Sequence, residues 1–344
     1  MNKQSENSGA ALIDILFIVA PHSLLLDLAG PAEAFRLANA HLRKKGNAAP
    51  FKLRFAAAST QAVSSVGLSL AGLESLPSRF PQVTWVVLLG QPSAVLASEA
   101  KAKPNADSQA TAHWLAHTLP PLLAQNEAHR LVTICSGSLI AARAGLIGTR
   151  RCTTHHELLD QLRAAAPAAQ VVDNRVFVLD GSLASSAGVT AGIDLSLHLI
   201  AQTCGDACAA ALAQDMVVYL RRSPSDPELS PLLAHRHHLH AAVHRVQDAV
   251  SAEPAHDWTM SALAATAFVT ERHLLRLFST HTEVSPLDYV RAIRLERARQ
   301  ALQRGDSVTR AAQDAGFNSD LQLRRAWKQR YGGTPSAVRS ASAL

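Results

Sequence analysis

The first two hundred residues alternate between unbroken apolar runs and amphipathic stretches. IDILFIVA (13–20), TWVVLLG (84–90) and LVTIC (131–135) are apolar at nearly every position. Strands with that pattern are covered on both faces, as in a parallel sheet. FKLRFAAA (51–58) is a shorter, partly alternating run and reads as a further strand. Between these runs the spacing predicts helices over Pro31–Leu42, His113–Leu123 and Leu139–Ala144. RVFVLDGSLASSAG (175–188) predicts two short strands around an Asp-Gly turn. Helices follow from Thr190 to about Thr203 and from Cys208 to Arg222, and KAKPNADSQAT (101–111) reads as a surface loop. The β-α alternation predicts an α/β three-layer sandwich with a mostly parallel sheet.

RRSPSDPELSP (221–231) gathers three prolines among polar residues, which is a linker signature. The expected division is a first domain over 1–205, a helix and linker over 206–235, and a second domain over 236–344. In this second domain the apolar period becomes helical and one plan occurs twice. In residues 258–282, Leu263 and Ala267 mark the inner face of a first helix, and Leu274, Leu277 and Phe278 that of a second. Thr270 can cap the second helix, leaving Arg272, Leu275 and Arg276 on its outer face. In 307–332, Val308, Ala311, Ala312 and Ala315 form the first helix, and Gly316 supplies the turn. Ser319 with Gln322 makes a capping box for the second helix. Leu323 and Trp327 face inward there, while Leu321, Gln322, Arg324, Arg325 and Lys328 face out. SPLDYVRAIRLERARQALQRG (285–305) joins the units as one long helix ended by Gly305. An all-α domain with two helix-turn-helix units is the expectation.

Charge sharpens this picture. Of a net +6, the segment from Arg236 to Leu344 holds 15 Lys+Arg against 10 Asp+Glu, so nearly all of the excess lies in the helical third. A basic module beside a near-neutral one points to a polyanion partner. Outward Arg and Gln on a recognition helix can reach guanine or adenine edges in the major groove, and Lys mostly meets phosphate. Two such helices on a rigid connector can enter successive groove segments roughly 10 bp apart. No apolar run approaches the ~20 residues that span a bilayer, and ALIDILFIVAP, after the polar start MNKQSENSGA, carries Asp14 and lacks the charged start of a signal peptide. The expected location is the cytoplasm, with no membrane partner. Four cysteines are too few for a disulfide framework. Cys204 and Cys208, four apart, read as two small buried residues on one helix. HRHHLHAAVH (235–244) places His240 and His244 at a metal-compatible spacing, but a solvated leading helix explains it, and neither metal nor cofactor is expected.

The turn Ala312, Gly316, Phe317, Ser319, with Arg325 and the closing Y-G-x-T-P (331–335), resembles the DNA-binding domain of AraC/XylS-family transcription regulators over about 236–340. Leu321 and Arg324 stand where that family usually carries small polar residues, and the first turn, AFVT, lacks its common glycine. LLLDLAGPAEAF (24–35), VVLLG (86–90), the C-S-G-S and T-T-H elements within 133–159, and the T-A-G-I-D element within 180–194 resemble the class I glutamine amidotransferase-like fold over about 10–205. The branch is that of intracellular cysteine proteases and isocyanide hydratases.

The resemblance implies a pocket at Cys135, on the turn after a central strand, with Asp27 approaching it and Gly90, Ser136 and His155 beside it. Glu33 reads either as an acid/base partner of Asp27 or as a structural residue. The proteases carry His directly after the cysteine. Ser136 stands there in this chain, and Gln91 stands where a second oxyanion glycine is usual. Cys135 therefore reads as an inherited pocket residue of a ligand sensor, ahead of a nucleophile paired with Asp27 or a redox-sensing thiolate. The resemblance implies a transcription regulator, not an enzyme. It would be an activator of a catabolic operon, with double-stranded DNA, a small-molecule effector and RNA polymerase as partners, and it would form a homodimer through the N-terminal domain. The alternative is a cysteine-dependent hydratase or amidase fused to a DNA-binding domain.

Overall fold

The computed structural model describes residues 12–101, 105–188, 190–218, 235, 238 and 240–337. The chain separates into two compact units, Met1–Glu228 and Leu229–Leu344. The linker expected over 221–231 lies outside the described residues.

The first unit is built on a seven-stranded sheet. In chain order its strands are β1 (Ile13–Ile18), β2 (Phe51–Ala57), the hairpin pair β3 (Gln61–Val63) and β4 (Ser69–Ala71), β5 (Glu74–Ser75), β6 (Thr84–Leu88), β7 (Arg130–Ile134), a small separate pair β8 (Arg151–Cys152) and β9 (Gln170–Val171), β10 (Phe177–Asp180) and β11 (Leu183–Ser186). The main sheet runs β10-β11-β7-β6-β1-β2-β5. Every pairing in it is parallel except β10 with β11. The apolar runs are unbroken because the two faces of each central strand meet different cores. In β1, Ile15 and Phe17 join one core, and Leu16 and Ile18 the other. The first core takes α1 (Leu25–Lys44), α7 (Ala191–Cys204) and α8 (Asp206–Asp215). The second takes α4 (Leu119–Leu123), α5 (Gly137–Arg143) and α6 (Leu159–Ala165).

Several elements differ from the sequence expectation. α1 starts at Leu25, six residues before Pro31, and runs through the proline. Burial of Leu28, Gly30, Pro31, Ala34, Phe35 and Ala38 overrides the local cost of an interior proline. The loop expected over 101–111 is in part helical: Lys101 ends α2 (Ser93–Lys101), and residues 106–111 belong to α3 (Ala106–His113), capped by Asn105, whose Oδ1 accepts the Ser108 amide at 2.8 Å; residues 102–104 lie outside the described residues. A π-helical turn, Trp114–Thr118, carries α3 into α4. Cys204 and Cys208 do not share a helix, because Gly205 at φ 86° separates α7 from α8. The helix α8, placed between the domains on sequence, packs into the first core through Cys208, Ala209 and Leu212.

The second unit is all helical: α9 (Ala241–Ala252), α10 (Met260–Ala267), α11 (Glu271–Thr282), α12 (Pro286–Gln303), α13 (Val308–Asp314) and α14 (Asp320–Tyr331). α12 spans two cores. Tyr289, Val290 and Ile293 pack with α9, α10 and α11, and Leu295, Ala298 and Leu302 pack with α13 and α14. The described histidines of the stretch expected on a solvated helix face, His235, His238, His240 and His244, are half-buried instead. His240 precedes α9 and its ring lies 4.8 Å from that of His281 on α11, while His238 lies 4.5 Å from His244. Among the described residues no group of three or more His, Cys, Asp or Glu is arranged to hold a metal ion, and no helix is long and apolar enough to cross a membrane.

Candidate functional site

The carboxyl ends of β1, β6 and β7 converge on one buried polar cluster. β7 ends at Ile134, and Cys135 follows at φ 53°, a left-handed backbone that side chains other than glycine occupy at a cost of about 1–3 kcal/mol. Its amide bonds the Ser186 carbonyl at 3.0 Å, and its carbonyl accepts the Thr154 hydroxyl at 2.8 Å. Gly90, just past β6, is the point where the cluster closes. A side chain there would begin 2.7 Å from Asp27 Oδ2 and 3.0 Å from both Cys135 Cβ and Ser136 Oγ. No residue but glycine leaves room for the three to meet.

Asp27 is fully buried near the start of α1. Its Oδ2 accepts the Gly90 amide at 3.1 Å, and its Oδ1 has no hydrogen-bond partner among the described residues. Burial pushes this carboxyl up to about 7, against a smaller downward pull from the Gly90 hydrogen bond. Ser136 Oγ accepts the Gln91 amide at 2.7 Å and donates to the Gln91 carbonyl at 2.8 Å. The amides of Gly90 and Gln91, where an oxyanion would be held, are thus both engaged by side chains of the chain itself.

Of the residues expected around Cys135, the structure brings Asp27, Gly90 and Ser136 together. His155 follows Thr154, whose hydroxyl donates to the Cys135 carbonyl; its ring lies 3.3 Å from where a side chain on Gly188 would begin, and its Nδ1 accepts the Glu157 amide at 3.4 Å. Glu33 does not pair with Asp27, since it is exposed and forms an ion pair with Arg36 at 2.6 Å. One helical turn beyond a buried Asp27 and more, its side chain points to solvent. A cavity of about 600 Å³ lies at the opposite end of the sheet, beside Asp14, Lys52, Arg54 and Glu74.

In the second unit both helix-turn-helix repeats close with the same geometry. Thr270 Oγ1 accepts the His273 amide at 3.3 Å at the start of α11, and Ser319 Oγ accepts the Gln322 amide at 3.2 Å at the start of α14. The carboxamide of Gln322 bonds the Asn318 amide at 2.8 Å, one residue before the cap that a capping box would reach. Leu274 and Phe278, and likewise Leu323 and Trp327, are buried. Arg272, Arg276, Gln322, Arg324, Arg325 and Lys328 are exposed.

Residues 123–202 match the DJ-1/PfpI family, and residues 263–341 match a helix-turn-helix domain family. The HTH-type transcriptional regulator CdhR of Pseudomonas aeruginosa is 32% identical over 212 residues, covering 61% of this chain and 63% of that protein. The HTH-type transcriptional regulator GbdR of the same species is 32% identical over 223 residues, covering 63% of this chain and 59% of that protein. The chain thus carries a stretch like the DJ-1/PfpI family followed by a stretch like a helix-turn-helix domain family. It spans less than two thirds of the length of the regulators it matches. An isonitrile hydratase of Pseudomonas putida is 37% identical over 111 residues, covering 30% of this chain and 46% of that enzyme.

In the DJ-1/PfpI-like unit, sequence reasoning placed Gln91 at the oxyanion position but missed its bond to Ser136, and it missed Thr154 as a member of the cluster. Gln91 enters through its backbone amide and Thr154 through a hydroxyl on the Cys135 carbonyl, contacts that no local spacing signals. In the helix-turn-helix unit the glycine absent from the first turn is replaced by strain: Phe268 takes φ 57° where the second turn has Gly316 at φ 81°. The exposed Phe268 ring carries the Arg245 guanidinium 5.3 Å above it.

Proposed function

We propose that the chain is a sequence-specific DNA-binding transcription regulator, with α11 and α14 reading the major groove and a small-molecule effector bound at the Asp27–Cys135 cluster. The observation that carries this is the duplicated, capped recognition helix with exposed arginines on the basic third of the chain. The names of its relatives support the same reading. We take it as a cytoplasmic activator of a catabolic operon that dimerises through its N-terminal domain and engages RNA polymerase. The engaged amides of Gly90 and Gln91 support a domain that binds and does not turn over. Since Asp27, Cys135 and Ser136 are all buried, an effector reaches them only as their surroundings open.

The test is affinity for a duplex selected from random sequence by the full chain. Arg276→Ala and Arg325→Ala should each weaken binding by ~1–3 kcal/mol, about 5- to 150-fold, if they contact bases. Unchanged affinity in a gel-shift titration of both variants would remove those residues from the interface.

The approach of Asp27 and Cys135 to Gly90, with the likeness to an isonitrile hydratase, favours one second reading, a cysteine-dependent hydratase. Isocyanide turnover that disappears in Cys135→Ala would establish it; the regulator reading expects no turnover in either protein.

A further inference from the structure

The two recognition helices share one register. Counted from their caps, Thr270 and Ser319, the fourth residue is buried in each, Leu274 and Leu323, and so is the eighth, Phe278 and Trp327. The outward positions therefore correspond as well. The second, fifth and sixth residues after the cap lie on one helix face, and all of them are exposed. In α11 they are Arg272, Leu275 and Arg276; in α14 they are Leu321, Arg324 and Arg325. Each helix presents one leucine and two arginines, in a different order. Leu275 is 46% and Leu321 56% exposed.

One exposed leucine says little by itself. A leucine beside two arginines on each of two matched faces is a pattern. Arginine reads guanine through paired hydrogen bonds, which leucine cannot make. The apolar group that base pairs offer in the major groove is the C5-methyl of thymine.

We infer that Leu275 and Leu321 are thymine-methyl contacts, so that each recognition helix reads one 5-methylpyrimidine beside its guanines. This inference rests on the DNA-binding reading. Because the leucine stands fifth in one helix and second in the other, the two halves of the site differ in base order. The chain then binds its site in one orientation.

The experiment selects a site from random duplex DNA with the full chain and replaces each conserved thymine by uracil. That change removes the methyl and keeps the base pair. At one thymine in each half, uracil should weaken the wild type about three- to tenfold, the worth of a buried methyl-sized contact. Leu275→Ala should lose the sensitivity in one half and Leu321→Ala in the other. Both side chains are exposed, so melting temperatures should match the wild type and exclude misfolding. A selected site indifferent to uracil throughout overturns the methyl contacts and leaves DNA binding standing. Failure to select any site overturns both.

Discussion

Replacing Asp27 by asparagine should abolish a loss of stability that the wild type suffers as pH rises toward 8. The folded carboxyl titrates at about 7, against 3.8 for the free group, because burial disfavours its charge. The folded state therefore holds a proton that the unfolded state has released between those values. The neutral carboxyl's contribution is fully present below about pH 4 and is lost as pH rises through 7. A shift from 3.8 to about 7 corresponds to roughly 4 kcal/mol. Asparagine keeps an oxygen for the Gly90 amide and cannot ionise. Urea unfolding of both proteins from pH 4 to 8 should give a wild-type-minus-variant difference that drifts against the wild type by about that amount. A difference independent of pH would mean that Asp27 is ionised at its ordinary value.

The second large effect is expected at Gly316. This residue turns the chain from α13 toward α14 at φ 81°. A Cβ there would lie 2.5 Å from the Ala255 backbone and 3.1 Å from Arg294 Nε. Neither neighbour can give way easily. Arg294 fixes the loop around Ala255 by donating to the Pro254 carbonyl at 2.9 Å and the His256 carbonyl at 2.7 Å. Left-handed strain of about 1–2 kcal/mol and overpacking of typically 1–3 kcal/mol add to about 3 kcal/mol for Gly316→Ala. The loss should fall on the helical unit, lowering its thermal transition and its affinity for DNA while leaving the N-terminal transition in place. An unmoved helical transition would show that the turn does not hold this packing.

The parallel sheet and both helix-turn-helix repeats were legible because their signals are local. Apolar runs such as 13–18 and 130–134 are set by burial on both faces, and the caps at Thr270 and Ser319 and the left-handed turn at Gly316 are formed within a few residues of their positions. Elements governed by distant packing were not legible. Pro31 suggested the start of a helix, yet the buried side of α1 carries the helix through it. Asn105 capped a helix in a segment whose polarity read as loop. The cluster at Cys135 was half legible. Asp27, Gly90 and Ser136 stood in recognisable motifs, but the bonds that engage the Gly90 and Gln91 amides join residues 63 and 45 positions apart. Those closures bear most on whether the site performs chemistry, and no spacing along the chain announces them.

The proposed regulator reads DNA sequence through α11 and α14 of its helical third. Genome-wide occupancy of the full chain in its host tests it most directly, beside a variant carrying both Arg276→Ala and Arg325→Ala. The wild type should occupy discrete loci sharing a common sequence, and the double variant should lose them. A wild-type chain bound to no discrete loci would contradict it.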